Sequence, residues 1–299
     1  MLGTLLSMTF STPDIDMVEE LYGNALGYKP VTRSDVSADQ AAIWGTPAAE
    51  GQRQIVLQPE SGEDTYLRFV EGGARTDYTP LMAHGWNAAE IIVADLQALN
   101  DRIQLTPFKI IGKPKKLDFE FTDVISAMQV LGPSQEVLYL TEIAGEVPGF
   151  ELPKAKAFVG PLFIAVMGGA DMNAMKAFYK EAFDVEASPT IQGTVGVLNN
   201  AHGLDPKRKT DVSTVVLPGK TVIEIDEMPT SAVARACADG QLPPGNAMSS
   251  FAHDDLDTVG VPFIAPPRAI ADAPYHGARA AAVKGAAGEL FELVESNAG

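Results

Sequence analysis

An internal repeat constrains the fold of this chain more than any other feature of its sequence. The segment TFSTPDIDMVEELYGNALGYKP near the start is matched later by GGADMNAMKAFYKEAFDVEASP. In this match Asp171 corresponds to Asp14, and Phe178-Tyr179 corresponds to Leu21-Tyr22. The offset of 171 − 14 = 157 residues is about half of the 299-residue chain. A repeat of this length indicates duplicated domains rather than a solenoid of small units.

Each repeat begins a unit with the order strand, helix and three strands. In the first unit an apolar stripe predicts a helix that Asp14 or Asp16 caps and Gly27 ends, and three strands follow at Ala41–Trp44, Gln54–Gln58 and Thr65–Val70. In the third unit a strand is expected at Thr194–Leu198. The sequence therefore predicts an α+β fold of four βαβββ units.

The units are expected to pair in chain order as two domains. The N-terminal domain, 1–145, holds units 1–79 and 80–145; a linker, 146–157, follows; and the C-terminal domain, 158–299, holds units 158–229 and 243–299, joined by a connecting helix at 230–240. In the fourth unit the helix is missing or cut to a single turn, because Gly260 and Pro262 follow Asp255 closely. The exposed sheet face would need the connecting helix or a second subunit as its cover, so a homodimer is possible.

Composition excludes several classes of partner. A formal charge of −17 makes nucleic acid an improbable partner, because such a surface repels phosphate. The single cysteine, Cys237, allows neither an intrachain disulfide nor a thiolate metal site. The short apolar start, residues 1–10, predicts a strand rather than a signal peptide, and no apolar run is long enough to span a membrane. We expect a soluble, cytoplasmic protein.

The order of the units and their motifs resembles the vicinal oxygen chelate superfamily, which includes glyoxalase I, the bleomycin-resistance proteins and the extradiol dioxygenases. The resemblance is carried by D-x-x-x-x-x-x-L/F-Y-x-x-A-L/F in units one and three and by the closing segment GAAGELFELVE. It covers nearly the whole chain, and the size and layout look most like the extradiol dioxygenases. It implies that each pair of units forms a cupped, half-open mixed β-barrel with helices outside.

The resemblance also implies where a divalent metal ion would be held, by a histidine of a first strand and a carboxylate of a last strand. Seven residues before the four helix-capping aspartates stand Ser7, Ala88, Ile164 and Met248, none of them a histidine. The last-strand positions are Arg68, Tyr139, Glu224 and Glu292. We therefore expect no metal site and no cofactor.

The remaining polar residues at these positions give the candidate site. Glu292 and His276 are the candidate base and its orienting partner, with Glu224 as a further catalytic candidate and Arg279 as a substrate holder. Alternatively Glu292 forms a salt bridge with Arg279 or lines a solvated groove. The remaining candidates for ligand binding, each of which could instead only fill a core, are Arg68, Tyr139 and Trp86.

Three functions remain open at this point. The first is a metal-independent protein that binds a small apolar or aromatic molecule, and either sequesters it or catalyses acid–base elimination or isomerisation. As an enzyme it would be a lyase or isomerase rather than a dioxygenase. The second is a metal-dependent extradiol dioxygenase or glyoxalase-type lyase whose ligands have moved. The third is a non-catalytic dimeric scaffold.

Overall fold

The structure is a computed structural model that describes residues 1–72, 75–117 and 122–296. In these ranges sixteen strands form two eight-stranded sheets. The strands are β1 Leu2–Thr12, β2 Lys29–Asp35, β3 Arg53–Gln58, β4 Tyr66–Glu71, β5 Gly85–Val93, β6 Lys109–Lys116, β7 Ile125–Leu131, β8 Val137–Ile143, β9 Val159–Gly169, β10 Ile191–Gly193, β11 Thr210–Leu217, β12 Thr221–Glu227, β13 Gly245–His253, β14 Arg268–Ala269, β15 Arg279–Lys284 and β16 Leu290–Glu295. The helices are α1 Ile15–Leu26, α2 Ala38–Trp44, α3 Leu96–Ile103, α4 Met172–Phe183 and α5 Gly196–Ala201.

The two curled sheets confirm the α+β class and the four βαβββ units, but the units do not pair in chain order. One sheet has the order β14-β15-β16-β13-β1-β4-β3-β2 and joins units one and four. The other has the order β10-β11-β12-β9-β5-β8-β7-β6 and joins units two and three. In each, the first strands of two units lie antiparallel at the centre. Because the linker between β8 and β9 turns unit three back beside unit two, units one and four are left to pair with each other.

One face of each sheet contributes to a single shared core. The ring of Tyr22 on α1 contacts Phe69 of the unit one sheet at 4.8 Å and Phe108 of unit two at 5.5 Å between ring centroids. Buried residues of α1, α3, α4 and both sheets belong to the same cluster. Burial of so many apolar side chains in one cluster makes the two sheets a single body.

The long predicted helices are confirmed, and each begins with an aspartate cap. Asp14, Asp95 and Asp171 accept hydrogen bonds from backbone N–H groups in the first turns of α1, α3 and α4, at 2.8 to 3.0 Å. In unit four the helix is reduced to a 3₁₀ turn, Leu256–Thr258, as the sequence predicts. No helix within the described ranges is long and apolar enough to cross a membrane.

The reduced helix of unit four is compensated by a neighbouring helix. Phe178 and Phe183 of α4 pack on Phe291 of β16, with ring centroids 5.4 and 5.9 Å apart. The cover for this sheet face is therefore α4 of unit three, together with the apolar segment 259–263, and not the expected connecting helix or a second subunit. The reason for expecting a homodimer is correspondingly removed.

Two short segments expected as strands are helices. Residues Ala41–Trp44 lie in α2, where Ser37 and Gln40 form a reciprocal capping box and Gly45 ends the helix at φ 67°. The expected strand Thr194–Leu198 is mostly α5. Both segments are short apolar runs, and a run of this length fits a strand and a short buried helix equally well.

The expected connecting helix at 230–240 is an extended strap. Its Val233 pairs with Ala83, and the guanidinium of Arg235 donates to the backbone carbonyls of His84, Trp86 and Asn246 at 2.6 to 3.1 Å. Because these carbonyls lie at the first ends of β5 and β13, the strap ties the two sheets together. Tertiary hydrogen bonds here prevail over the helix propensity of its alanines.

Candidate functional site

The face of each sheet that does not join the shared core forms a cup. The cup 1/4 is formed by units one and four and is closed over by α2 and the loop before β15. The cup 2/3 is formed by units two and three and is covered by α5. The last-strand positions of the four units face these cups: Arg68 with Glu292 in the cup 1/4, and Tyr139 with Glu224 in the cup 2/3.

The centre of the cup 1/4 is a buried ion pair. The guanidinium of Arg68 lies 2.7 Å from the carboxylate of Glu292, and both side chains are completely buried. Arg68 also donates to the hydroxyl of Thr9 at 2.9 Å, and Ser250 donates to Glu292. A buried ion pair is tolerated only when its remaining hydrogen-bonding groups are satisfied, and here they are.

Two aromatic side chains complete this network and fill the cup. The indole N–H of Trp44 and the hydroxyl of Tyr275 both donate to Glu292 Oε1 at 2.5 Å. The guanidinium of Arg68 lies 4.8 Å from the centre of the Trp44 ring and donates to the Tyr275 hydroxyl. With all four side chains buried, the cup 1/4 has no room for a ligand at the ion pair.

The expected pairing of Glu292 with His276 is not formed. His276 stands at a turn with φ 51°, and its side chain is exposed, whereas the adjacent Tyr275 reaches Glu292. Arg279 lies on the outside, where it donates to Glu295 at 2.6 and 2.7 Å. The alternative salt bridge between Glu292 and Arg279 is also not formed, because the partner of Glu292 is Arg68 of unit one.

Trp86, expected as a ligand-binding residue, is part of the core. Its ring packs at 4.9 Å from that of Phe291, and its indole N–H donates to the carbonyl of Leu290 at 2.7 Å. One edge of Trp86 lines a cavity of about 420 Å³ beside the strap. The guanidinium in this cavity wall, that of Arg235, is engaged by backbone carbonyls, so this charge positions the strap.

The cup 2/3 holds a cluster of three acidic side chains. Glu224 and Asp226 are two residues apart on β12, so their side chains face the same side of the sheet. Glu90 lies on β5, which is separated from β12 by the strand β9. Glu90 accepts a hydrogen bond from the hydroxyl of Thr141 at 2.7 Å. Glu90 and Asp226 are 8% and 2% exposed, so the cluster brings carboxyl groups into a region with little water.

Burial and mutual repulsion raise the pKa of each of these carboxyl groups. Burial, opposed by the hydrogen bond from Thr141, raises the pKa of Glu90 to about 7. Burial and the charge of Glu90 raise the pKa of Asp226 to about 7. Burial and the charges of Asp226 and Glu90 raise the pKa of Glu224 well above its ordinary value. Glu90 and Asp226 therefore exchange protons near neutral pH, and Glu224 beside them keeps its proton to a higher pH than an ordinary glutamate, as general acid–base chemistry requires.

Polar atoms without partners point into this cluster. Tyr139 is 7% exposed, and among the described residues its hydroxyl has no hydrogen-bond partner, although the charges of Asp226, Glu224 and Glu90 all raise its pKa after burial itself. Asp226 Oδ1 is also buried without a hydrogen bond. Buried polar atoms are normally paired, so Asp226 Oδ1, with the unpartnered hydroxyl of Tyr139 nearby, indicates a place where a ligand or water completes the site.

The helix α5 covers the cup 2/3. Among the described residues it makes no hydrogen bond to Glu90, Glu224 or Asp226. Val197 and Leu198 pack against Ala88 and Val166 in the apolar part of the cup. Its C-terminal end is fastened by His202, whose ring nitrogens lie 2.7 Å from Ser231 Oγ and 3.0 Å from the Leu81 carbonyl oxygen. Both Glu224 and Ile164 remain partly exposed, so the cup is open to solvent beside this helix.

The residues present do not fit a divalent metal ion of the kind that the resemblance implies. At the four histidine positions stand Ser7, Ala88, Ile164 and Met248, and the first of these donates its hydroxyl proton to Ser250. Within residues 1–72, 75–117 and 122–296, no group of three or more His, Cys, Asp or Glu side chains is arranged to hold a metal ion. The four positions therefore supply no imidazole ligand.

Sequence reasoning located Glu224 and Tyr139 but missed their neighbours. Glu90 is an acid in the otherwise apolar run AAEIIV, and Asp226 stands two residues after Glu224 on the same strand face. An acid at an inward position of a buried strand was the available signal. Trp44 and Tyr275 were missed because the pairing of units one and four brings them to Glu292.

No protein-family model and no curated protein matches the sequence. Similar structures are known. Glyoxalase I from Zea mays is 15% identical, with 98% of this chain and 92% of that chain covered and a TM-score of 0.64. A dioxygenase-like protein from Bacillus subtilis is 14% identical, with 100% of this chain and 86% of that chain covered and a TM-score of 0.63. At these identities the likeness concerns the fold: the chain shares its two-sheet, four-unit fold with these proteins.

Proposed function

We propose that the cup 2/3 binds a small, partly apolar molecule and transfers protons to or from it without a metal ion. The observation that carries this proposal is Asp226 Oδ1, which is buried without a hydrogen bond among Glu90, Glu224 and the Tyr139 hydroxyl, a hydroxyl that has no hydrogen-bond partner among the described residues. Burial raises the pKa values of Glu90 and Asp226 to about 7. A group with a pKa near the working pH is the most effective general acid or base. Elimination or isomerisation is the corresponding reaction class.

Each residue of the cup has a role in this proposal. Glu224, partly exposed beside α5, is the carboxylate that a substrate reaches first. Asp226 and Glu90 hold the proton that Glu224 releases or takes up. The Tyr139 hydroxyl donates a hydrogen bond to an oxygen of the substrate, and α5 supplies apolar contacts through Val197 and Leu198.

The alternatives receive less support. The dioxygenase and glyoxalase-type readings require metal ligands, and the donor set of the described residues does not supply them. A scaffold without a ligand would leave Asp226 Oδ1 buried and unpaired, at a cost of about 1–3 kcal/mol.

Binding and proton transfer can be tested together with small aromatic and aliphatic ketones such as acetophenone. Saturation-transfer NMR on protein dialysed against a chelator reports binding, and uptake of deuterium from D₂O at the carbon beside the carbonyl reports proton transfer. We expect Ile164→Trp, which fills the cup, to abolish both signals, and Glu224→Gln to abolish exchange while binding remains.

The matched control is Leu105→Trp, which adds the same ring at a site 89% exposed and outside both cups. It should behave like the unaltered protein. Binding that survives Ile164→Trp, or exchange that survives Glu224→Gln or appears only when a metal ion is restored, would contradict the proposal. Circular dichroism of each variant confirms that it is folded.

A further inference from the structure

The two cups place different groups at matching positions. By the repeat offset, Thr9 and Val166 correspond, as do Arg68 and Glu224 within one residue. The last strands of the other two units carry Glu292 in the cup 1/4 and Tyr139 in the cup 2/3. In each cup a carboxylate on one last strand therefore faces a different polar side chain on the other last strand, with the two first strands between them.

The cup 1/4 contains its own cation, whereas the described residues place none beside the acids of the cup 2/3. The Arg68 guanidinium lies 2.7 Å from Glu292 and satisfies it. In the cup 2/3 no cationic side chain of the described residues is among the groups that shift the pKa of Glu224, Asp226 or Glu90. Two buried carboxyl groups and the partly exposed Glu224, without a counter-charge, favour any partner that brings a positive charge and N–H donors.

We propose that the molecule bound in the cup 2/3 carries a positively charged ammonium or guanidinium group, which lies between Glu224, Asp226 and the hydroxyl of Tyr139. This inference rests on the proposed function and specifies its ligand. The unpartnered hydroxyl of Tyr139 is an observation independent of the acids, and it faces the same space. In the cup 1/4 a guanidinium already occupies the corresponding place, bonded to a carboxylate and to a tyrosine hydroxyl.

A polyatomic cation fits the acidic cluster better than a single metal ion does. A metal ion needs its oxygen ligands to converge within about 2.0–2.6 Å of one point. The acidic groups of the described residues show no such convergence. An ammonium or guanidinium group instead donates separate hydrogen bonds of about 2.7–2.9 Å in several directions, and so bridges carboxylates that lie further apart. The apolar side of the cup, with Val166 and Val197, would receive the body of the molecule.

Three probes of equal size and different charge test this inference: benzylammonium, benzyl alcohol and benzoate. Isothermal titration and saturation-transfer NMR at pH 7 give their affinities. We expect benzylammonium to bind at least tenfold more tightly than benzyl alcohol, and benzoate to show no binding. Glu224→Gln and Asp226→Asn should each weaken benzylammonium binding at least tenfold and leave benzyl alcohol unchanged.

A second variant supplies the missing cation within the chain. Tyr139→Arg should abolish benzylammonium binding, because its guanidinium reproduces the arrangement of Arg68 and Glu292. Glu289→Gln, which removes a buried acid outside the cup, is the control and should bind benzylammonium like the unaltered protein.

The outcomes separate this inference from the proposed function. Benzyl alcohol or benzoate binding as tightly as benzylammonium, with binding lost in Ile164→Trp, would overturn the charge inference and leave the cup as a binding site. Absence of binding by all three probes and by the ketones would overturn both. Stoichiometric Mn²⁺ binding that Glu224→Gln removes would overturn the ammonium assignment in favour of a metal ion.

Discussion

The Arg68–Glu292 pair is the clearest single-residue determinant of stability. Arg68→Met leaves the carboxylate of Glu292 buried without its counter-charge, and we expect a loss of about 3–5 kcal/mol in the free energy of unfolding. Urea unfolding followed by tryptophan fluorescence measures this loss. Arg279→Met, which removes a partly exposed pair with Glu295, is the control and should be much less destabilising.

The double variant Arg68→Met/Glu292→Met distinguishes the cost of an orphaned charge from the loss of packing. Because it removes both charges, it should be more stable than Arg68→Met alone. A double variant as unstable as the sum of the single variants would show no coupling between Arg68 and Glu292 and would contradict the expected cost of an orphaned charge.

The sequence located individual polar positions better than it located their partners. Glu224, Tyr139, Arg68 and Glu292 all face a cup, as the last-strand spacing predicts. Their partners depend on which units pair, and strand periodicity carries no information about that choice. His276 was expected beside Glu292 from its position in the chain, whereas a one-residue difference at a tight turn gives that place to Tyr275.

At the scale of elements, the aspartate caps make a matched comparison possible. Asp171 caps the twelve-residue α4, and Asp255 caps only the three-residue 3₁₀ turn of unit four. Asp171→Ala should lower the free energy of unfolding by about 1 kcal/mol, because it exposes an unpaired N–H at the start of a long helix. Asp255→Ala should cost less. Equal losses in urea unfolding would show that the cap matters through local turn geometry rather than helix length.

The elements with long periodic patterns were predictable, and the short ones were not. The helices α1, α3 and α4 have both an aspartate cap and an apolar stripe. The six- and seven-residue helices α5 and α2 have too few turns for a period to be distinguished from that of a strand. For α2 the residues of the capping box, Ser37 and Gln40, were nevertheless a usable signal.

At the scale of the whole molecule, buried acids determine how stability depends on pH. Burial raises the pKa of Glu90, Glu136, Asp226 and Glu289 to about 7 in the folded protein. Between their ordinary values and pH 7 the folded protein therefore binds more protons than the unfolded chain, so stability is present at low pH and is lost as pH rises through 7. We expect the free energy of unfolding to fall by at least about 2 kcal/mol from pH 5.5 to pH 8.5.

Asp226→Asn tests the origin of this dependence. The variant removes one of the acids that is protonated in the folded protein and ionised in the unfolded chain, so its free energy of unfolding relative to that of the unaltered protein should be higher at pH 8.5 than at pH 5.5 by more than about 1 kcal/mol. Urea titrations at the two pH values give both quantities. A stability that rises with pH in the unaltered protein would contradict the assignment.

The pairing of unit one with unit four has a consequence for synthesis on the ribosome. The sheet of units two and three is continuous in the chain, whereas β1 acquires its partner β13 only after about 230 further residues have been made. At roughly 5–20 residues per second, one edge of β1 stays unpaired for roughly 10–50 s. Through that interval Arg68 also lacks Glu292, and a nascent chain with an open strand edge and an unmatched charge is the species on which a chaperone would act.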